Sequence, residues 1–286
     1  MFEQVVFAGG GNRCWWQAGF WDTVAPEIDL RPRVIVGVSA GAATACLLYA
    51  NDSRYALNYY RQALAEVHHN AQWGNLIKRG EPVFPHSALY RQALKHLLGG
   101  EFYRQLMWSA PELRIVFSRI PSWLGPRSAV LVGLSAYNLE KHWLKPLHPT
   151  WGKRLGFTSE MVRIQDCQNE DDLVSLIIAS SCTPPFTPIE YRAGAATLDG
   201  GLVDNIPVHV TDEFAGPTLV MATRCYAQHA PVFMREGRTY VQPSRPVAAS
   251  SWDYTSVDRM QQTYDLGRQD GEAFLANFGR FRPDSD

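Results

Sequence analysis

A serine between two glycines is the first residue in this chain that could do chemistry. It lies in Gly37-Val38-Ser39-Ala40-Gly41, directly after the β-branched residues 34–36. Gly-x-Ser-x-Gly is typical of a sharp turn from a strand into a helix, which lifts the serine hydroxyl out of the sheet. The small residues at 42–48 predict that helix, whose N-terminal amides favour negative charge nearby. Ser39 is therefore a candidate nucleophile, which still requires an oxyanion hole and a base.

Three consecutive glycines, Gly9, Gly10 and Gly11, closely follow Gln4-Val5-Val6-Phe7, which is predicted to form a strand. Such a loop exposes amide N–H groups, and it serves either to bind phosphate or to stabilise an oxyanion. No Gly-Lys-Ser/Thr follows, and Cys14 occupies the last glycine position of the dinucleotide pattern Gly-x-Gly-x-x-Gly. We interpret the loop as an oxyanion hole, with a plain structural turn as the alternative.

An aspartate, Asp199, ends another predicted strand and is followed at once by Gly200 and Gly201. The two glycines make the backbone turn directly after the carboxylate, which leaves Asp199 at the end of its strand as a candidate base. Asp-Gly is also a common turn dipeptide, so a turn-capping role is the alternative. Asp204 and Asn205, a few residues further on, are interpreted as structural turn residues.

The composition is that of an ordinary globular protein of 286 residues, with 46% apolar and 19% charged residues. The length suffices for one large α/β domain or two small ones. A net charge of −1 gives no reason to expect nucleic acid as a partner. The cysteines are odd in number and scattered, which favours a reducing compartment and suggests no zinc site: Cys14, Cys46, Cys167, Cys182 and Cys225. We expect no metal and no cofactor.

The N-terminal residues lead directly into the strand at 4–7, without the charged leader and apolar core of a signal peptide. No apolar run approaches the roughly 20 residues of a membrane-spanning helix. We therefore expect a soluble cytoplasmic protein, with peripheral contact to a membrane as an option.

The elements that must position these motifs are predicted from periodicity and capping residues. Helices are predicted at 15–24, 53–68, 86–98, 169–179 and 254–278. Strands are predicted at 112–120, 129–134, 160–166 and 217–223. Ser53 is the expected N-cap of the helix at 53–68, and Gly99-Gly100 is expected to end the helix at 86–98. Residues 226–252 are expected to be irregular. No linker or repeat divides the chain.

Taken together, the motifs resemble those of the patatin-like phospholipase family. Gly9-Gly10-Gly11-Asn12-Arg13 resembles its glycine-rich oxyanion loop, Gly37-Val38-Ser39-Ala40-Gly41 its nucleophile elbow, and Asp199-Gly200-Gly201 its Asp-Gly-Gly/Ala motif. The resemblance runs through residues 4–50 and 174–223. One position departs from the family pattern, because the glycine usual after the basic residue is Cys14 here.

The resemblance implies a three-layer α/β/α fold with a mainly parallel central sheet, built as a single domain over residues 1–286. Residues 51–160 are expected to form a helical cap or insertion within it. The implied activity is hydrolysis of phospholipid or lysophospholipid acyl esters by a dyad of Ser39 and Asp199. Gly9, Gly10 and Gly11 would form the oxyanion hole. Arg13 would either face the substrate phosphate or make a structural salt bridge.

A dyad without histidine is chemically demanding. A solvated aspartate with a pKa of about 4 is a poor base for a hydroxyl. Burial must therefore raise the pKa of Asp199, and preorganised amides must carry most of the barrier reduction.

Two alternatives stay open at this point. An α/β-hydrolase with a Ser-Asp-His triad needs a late histidine, for which His209 and His229 are available. A module that holds a lipid without turnover would use the same pocket. The loop at 73–79 mixes apolar and basic residues. Three roles stay open for it: docking to a membrane, contact with a partner, or plain packing.

Overall fold

A mixed β-sheet of nine strands crosses the molecule in the computed structural model, which describes residues 1–73, 83–143, 147–148 and 150–281. Within these residues the strands are β1 (Gln4–Phe7), β2 (Val34–Val38), β3 (Glu112–Arg119), β4 (Thr158–Arg163), β5 (Glu190–Arg192), β6 (Ala195–Asp199), β7 (Thr218–Met221), β8 (Val232–Arg235) and β9 (Arg238–Val241). The α-helices are α1 (Trp15–Glu27), α2 (Ala40–Ala50), α3 (Ser53–Ala63), α4 (His86–Leu98), α5 (Glu101–Ser109), α6 (Pro126–Trp143), α7 (Trp151–Arg154), α8 (Glu170–Ser180) and α9 (Val257–Ala276). Short 3₁₀ helices include Gly11–Cys14, Gly200–Leu202 and Val208–Thr211.

The strands follow the order β5-β6-β3-β2-β1-β7-β9-β8, and β4 also pairs with β3. The central strands β3, β2, β1, β7 and β9 run parallel to their neighbours along this path. Antiparallel pairs join β3 to β4 and β6, β5 to β6, and β8 to β9. Parallel neighbours require crossovers, which α1 supplies between β1 and β2 and α2 to α5 supply between β2 and β3. The expected α/β class with a mainly parallel central sheet and flanking helices is confirmed.

Both faces of the central strands are buried. Val5 and Phe7 pack on the side of α1, α2, α8 and α9, whereas Val6 packs on the other side with Ile206 and Val208. Burial on both faces explains why β1, β2 and β7 are nearly continuously apolar in sequence rather than alternating.

The strand predicted at 129–134 is wrong, because these residues lie inside α6. The buried positions Ala129, Gly133, Ala136 and Glu140 recur every three or four residues, which is helical spacing. A short apolar run alone does not distinguish a strand from a buried helix segment.

The prediction of irregular chain at 226–252 is also wrong, since this stretch contains the hairpin of β8 and β9. Glu236 and Gly237 connect the two strands with φ values of 50° and 72°. Two-residue hairpin turns need such positive φ values, because only they match the twist of the strands. The turn carries Glu-Gly instead of the usual Asn-Gly or Asp-Gly, so the local sequence does not predict a hairpin here.

Smaller corrections concern the ends of elements. Helix α3 is capped by Asp52, whose Oδ1 accepts the amide of Arg54 at 2.6 Å, so Ser53 is not the N-cap. The same helix ends at Ala63 rather than at residue 68. Helix α4 and strand β3 match their predicted ranges closely.

Residues 51–160, where a helical cap or insertion is predicted, also contribute to the sheet and to the core within the described residues. This stretch supplies β3, which lies between β2 and β6 in the sheet. Leu94, Leu98 and Leu106 of α4 and α5 belong to the main core. The stretch is therefore part of the fold itself, and only some of its side chains reach the cavities described below.

Among the described residues, no helix is both long enough and apolar enough to cross a membrane. All five cysteines are unpaired, and Cys46 and Cys182 are fully buried in apolar clusters.

Candidate active site

The register of three strands brings Ser39 and Asp199 together. Val38 at the end of β2 pairs with Val116 of β3, and the next residue of β3, Phe117, pairs with Asp199 at the end of β6. Ser39 follows Val38 directly, so it lies level with Asp199 at the same edge of the sheet. Residues that are 160 positions apart in sequence thus become neighbours.

The backbone at Ser39 is strained. Its φ is 55° and its ψ is −136°, a region that non-glycine residues rarely adopt and that costs about 1–3 kcal/mol. The turn also needs Gly41, because a Cβ there would lie 2.4 Å from the carbonyl oxygen of Ala8. Strain of this kind holds the hydroxyl above the sheet, at the N-terminus of α2.

The side chains of Ser39 and Asp199 are hydrogen-bonded. The hydroxyl of Ser39 donates to Oδ2 of Asp199 at 2.7 Å. Thr183 Oγ1 donates to the same oxygen at 3.2 Å, and the amide of Gly201 donates to Oδ1 at 2.7 Å. Both oxygens of the carboxylate therefore accept hydrogen bonds, and Oδ2 lies next to the hydroxyl of Ser39.

Burial raises the pKa of Asp199 to about 6. The hydrogen bonds from Ser39, Gly201 and Thr183 oppose this rise, because they stabilise the ionised carboxylate. Near neutral pH the carboxylate is thus ionised, yet much more basic than a solvated aspartate. This is the combination that a general base requires.

Ser180 supports the nucleophile turn from the end of α8. Its Oγ accepts the amide of Ser39 at 2.7 Å and donates to the carbonyl of Val116 at 2.6 Å. The sequence motifs assign no role to Ser180 or Thr183, although both lie within residues 174–223, over which the chain resembles the family. Ser180 bonds to Ser39 across 141 positions and Thr183 to Asp199 across 16, so no local pattern marks either role.

The glycine loop presents two unpaired amides. The amide of Gly9 donates to the carbonyl of Asn205 at 3.1 Å, so it is not available to an oxyanion. The amides of Gly10 and Gly11 make no hydrogen bond to any residue that the structure describes, and both glycines line a cavity beside Ser39. Of the three predicted donors, the geometry favours Gly10 and Gly11.

The pose of the loop depends on glycine at position 11. Its φ is 57°, and a Cβ there would lie 2.2 Å from the carbonyl oxygen of Ser251. Cys14 is buried one turn later, where burial raises the pKa of its thiol to about 12. The family glycine is thus replaced by a neutral thiol that fits without disturbing the loop's contacts to Asn205 and Thr223.

Two cavities meet at Ser39. The apolar cavity, about 70 Å³, is lined by residues of α2, α3 and α4, among them Leu47, Tyr60, Leu94 and Leu97, and by residues of other segments such as Trp15 and Tyr254. The polar cavity, about 370 Å³, contains Asp199 and extends towards Tyr137 of α6. An elongated molecule with an apolar part and a polar part would place its junction at the serine.

Two arginines, Arg13 and Arg224, line the polar cavity. The Nε atoms of both are buried without a hydrogen-bond partner, and Arg224 Nη2 donates to the hydroxyl of Tyr137 at 2.9 Å. Burial, and then the positive charge of Arg224, lower the pKa of Arg13 to about 10. Neither arginine forms an ion pair with a carboxylate in the described part of the chain, so the salt bridge considered for Arg13 finds no support.

The histidines considered for a triad do not reach the dyad. His209 Nδ1 lies 3.4 Å from Oδ2 of Asp204, and His229 stacks on the ring of Phe233. Among the described residues the hydroxyl of Ser39 bonds only to Asp199. The geometry thus supports an aspartate rather than a histidine beside the nucleophile.

Asp204 and Asn205 differ in what they touch. Asp204 accepts the amide of Ile206 at 3.0 Å and lies against His148, which fits the structural role expected for it. Asn205 holds the glycine loop through both its backbone and its side chain. Within the described ranges, no group of three His, Cys, Asp or Glu side chains could hold a metal ion.

A family model described as patatin-like phospholipase matches residues 5–212 of this chain. A search of curated proteins returned no match. Among solved structures, VipD from Legionella pneumophila has a TM-score of 0.48 at 11% identity, covering 96% of this chain and 67% of that protein. Human GIVD cytosolic phospholipase A2 has a TM-score of 0.50 at 10% identity, covering 97% of this chain. This chain spans 62% of that phospholipase, and at such identities the likeness concerns the fold alone.

Proposed function

The chain belongs to the patatin-like phospholipase family and is therefore a lipid acyl hydrolase, and we propose that it acts as a phospholipase A or lysophospholipase through a dyad of Ser39 and Asp199. The observation that carries the dyad is the 2.7 Å hydrogen bond from Ser39 Oγ to Asp199 Oδ2. The raised pKa of Asp199 supports it, because the carboxylate is then a competent base near neutral pH.

In the first half of the proposed reaction, Ser39 Oγ attacks the ester carbonyl while Asp199 takes its proton. The new bond forms between Oγ and the acyl carbon, and the carbonyl π electrons move onto the oxygen. When the tetrahedral intermediate collapses, the ester C–O bond breaks and Asp199 returns the proton to the leaving alcohol. An acylated Ser39 remains.

The tetrahedral oxyanion is stabilised by the amides of Gly10 and Gly11. These donors are fixed in place before the reaction, because Asn205 and Ser251 hold the backbone on either side of them. Losing one such donor costs about 100- to 1,000-fold in comparable sites. The N-terminus of α2 adds a favourable electrostatic field at the same point.

In the second half, a water molecule replaces the departed alcohol in the polar cavity. Asp199 accepts one proton of this water as its oxygen attacks the acyl carbon. Collapse of the second intermediate returns the proton to Ser39 and releases a carboxylic acid. One base thus serves both halves of the cycle.

We assign the acyl chain to the apolar cavity, since that cavity begins at Ser39 and is lined by aliphatic and aromatic side chains. The glycerol and head group then lie in the polar cavity. This placement puts the scissile ester at the junction of the two cavities, beside the nucleophile.

For contact with lipid aggregates we propose the surface beside the mouth of the polar cavity. Leu131 is 70% exposed and lines a groove together with Pro184 and Pro185. Pro184 and Pro185 also line the polar cavity. In the loop first considered for this role, Trp73 is 66% exposed, whereas residues 74–79 lie outside the described residues. A cytoplasmic, membrane-peripheral location is part of the same proposal, supported by the five unpaired cysteines.

The proposal is tested with a fluorophosphonate probe, which reacts covalently with an activated serine. Mass mapping after labelling should place the adduct on Ser39, and Ser39→Ala should abolish it. Labelling at another serine, or an unlabelled protein that still hydrolyses lysophospholipid, would contradict the proposed nucleophile.

A further inference from the structure

Three tyrosines line the apolar cavity from three separate segments of the chain. Tyr60 lies on α3, Tyr90 lies on α4, and Tyr254 lies in the segment before α9. The lining beside them is aliphatic and comes from α2 and α4: Leu47, Leu94, Leu97 and Leu98. A plain hydrocarbon chain needs no polar partner, so three hydroxyl groups in this cavity need an explanation.

The three tyrosine hydroxyls are close to one another. Burial raises the pKa of each of them, and a neighbouring tyrosine raises it further. Tyr254 acts in this way on Tyr60, Tyr60 on Tyr90, and Tyr90 on Tyr254. Such mutual effects show that the hydroxyls form one cluster, although their segments are distant in sequence.

This cluster has few hydrogen bonds within the protein. The hydroxyl of Tyr90 lies 3.3 Å from Oγ of Ser181. The hydroxyls of Tyr60 and Tyr254 make no hydrogen bond to any residue that the structure describes. Thr44 lines the same cavity, but its hydroxyl already donates to the carbonyl of Ala40 at 2.9 Å. The tyrosine cluster therefore holds the hydroxyls that are free to bond to a ligand.

The position of the cluster follows from Ser181. The residue before it, Ser180, accepts the amide of Ser39 at 2.7 Å, so the bond between Tyr90 and Ser181 lies beside the nucleophile turn. An acyl chain that enters the apolar cavity from Ser39 thus meets the cluster close to its ester end.

Unpaired hydroxyls make the cavity a poor site for a plain chain. A buried hydroxyl without a hydrogen-bond partner is unfavourable, whereas water can satisfy it in the free enzyme. A plain hydrocarbon chain expels this water and offers no replacement bond. A chain that carries its own oxygen restores the bond, and sites of this kind reject the analogue that lacks the polar group.

We propose that Tyr60, Tyr90 and Tyr254 form a subsite for an oxygen atom of the acyl chain, so that the preferred substrates are esters of hydroxylated fatty acids. A phenolic hydroxyl both donates and accepts, as does the hydroxyl of such a chain, so the two groups are complementary. The tyrosines are specificity residues and take no part in the bond changes at Ser39. This inference rests on the proposed lipid acyl hydrolase function and names the class of its acyl group.

The test compares three monoacylglycerols with octanoyl, β-hydroxyoctanoyl and ω-hydroxyoctanoyl chains. We expect wild-type kcat/KM for the β-hydroxy ester to exceed that for the octanoyl ester by about tenfold. Tyr60→Phe and Tyr254→Phe should each lower this ratio by about 3- to 10-fold. Tyr59→Phe is the matched control, because Tyr59 precedes Tyr60 on α3, stacks on His96 and lines neither cavity. Comparing ratios cancels any difference in the intrinsic reactivity of the esters.

Three results would overturn the proposal. An equal ratio in wild type and in both phenylalanine variants would leave the hydroxyls with water as their only partner. A gain for the ω-hydroxy ester as large as that for the β-hydroxy ester, or larger, would assign the preference to chain polarity. A lower Tm in Tyr60→Phe and Tyr254→Phe would show that these hydroxyls are bonded within the protein, since removing an unpaired hydroxyl should not destabilise the fold.

Binding without turnover separates this inference from the proposed reaction. Octanoate and β-hydroxyoctanoate are each titrated calorimetrically into Ser39→Ala, with and without Tyr60→Phe. Tighter binding of β-hydroxyoctanoate that depends on Tyr60 supports the subsite even if Ser39 proves not to be the nucleophile. Equal affinity for the two acids contradicts the subsite even if hydrolysis by Ser39 is established.

Discussion

Asn205 holds Gly9 through two hydrogen bonds. The carbonyl of Asn205 accepts the amide of Gly9 at 3.1 Å, and the side-chain amide of Asn205 donates to the carbonyl of Gly9 at 2.9 Å. Because Asn205 follows shortly after Asp199, this pair ties the segment that carries the proposed base to the loop that carries the proposed oxyanion donors. The two parts of the proposed catalytic site are thus fixed relative to each other.

Asn205→Ala should lower kcat more than it raises KM. The backbone bond to Gly9 and the bond from Thr223 remain, but the loop loses the side-chain bond of Asn205, and the amides of Gly10 and Gly11 become less well aimed. We expect kcat to fall by about tenfold or more. Steady-state kinetics on a soluble acyl ester measures the change. Asn277→Ala, at an exposed position at the end of α9, is the matched control and should leave kcat unchanged.

Ser39→Ala and Asp199→Asn should each nearly abolish hydrolysis of an activated acyl ester. We expect kcat to fall by about 100- to 10,000-fold. Asparagine cannot accept the hydroxyl proton, although it preserves the size of the side chain. His209→Ala and His229→Ala should keep near-normal rates, since His209 contacts Asp204 and His229 contacts Phe233. Activity in Asp199→Asn would remove the dyad, and an inactive histidine variant would restore the triad.

The value of kcat/KM should fall at acidic pH with an apparent pKa of about 6. Burial raises the pKa of Asp199 to about 6, and only the ionised carboxylate can take the proton of Ser39. Below that pH the protonated fraction grows, so kcat/KM should fall about tenfold per pH unit. A pH profile with a non-ionisable ester measures this directly. A rate that stays level down to pH 4 would show that Asp199 is not the base.

Thr183→Val should shift the fall of kcat/KM at acidic pH to higher pH values. Thr183 donates to Oδ2 of Asp199 at 3.2 Å, and that bond stabilises the ionised form. Without it the pKa of Asp199 rises further, so more alkaline solution is needed for the same rate. Thr44→Val is the control, because Thr44 bonds to the carbonyl of Ala40 and makes no hydrogen bond to Asp199. A shift towards lower pH in Thr183→Val would contradict the assigned role.

Leu131→Asp should weaken binding to phospholipid vesicles without slowing hydrolysis of a soluble ester. Leu131 is 70% exposed beside the cavity mouth, and a carboxylate there cannot enter a lipid surface. Losing the burial of one leucine corresponds to about a tenfold weaker partition. Vesicle sedimentation with wild type, Leu131→Asp and Met234→Asp tests this, since Met234 on β8 is 60% exposed and lines none of these cavities. Equal losses in both variants would assign the effect to general hydrophobicity.

Much of the chemistry was predictable because its signals are local. Glycines around Ser39 and in the 9–11 loop report tight turns, and the apolar runs before them report buried parallel strands. Where local signals are ambiguous, prediction failed: the apolar run at 129–134 belongs to a helix, and the Glu236-Gly237 hairpin has no strong turn signature. Boundaries such as the Asp52 cap differ by a single residue, since neighbouring polar residues can serve the same backbone amides.

The sequence by itself determined which residues are chemically able to act: a serine in a nucleophile turn, an aspartate before two glycines, and a glycine-rich loop. Only the tertiary structure decided how they act. Burial raises the pKa of Asp199 and so makes it more basic. Asn205 accepts the amide of Gly9, which leaves the amides of Gly10 and Gly11 as the unbonded donors. The fold also places Arg13 beside Arg224 from a distant segment. Each depends on residues that lie 160 to 211 positions apart in sequence, and no local pattern encodes such contacts.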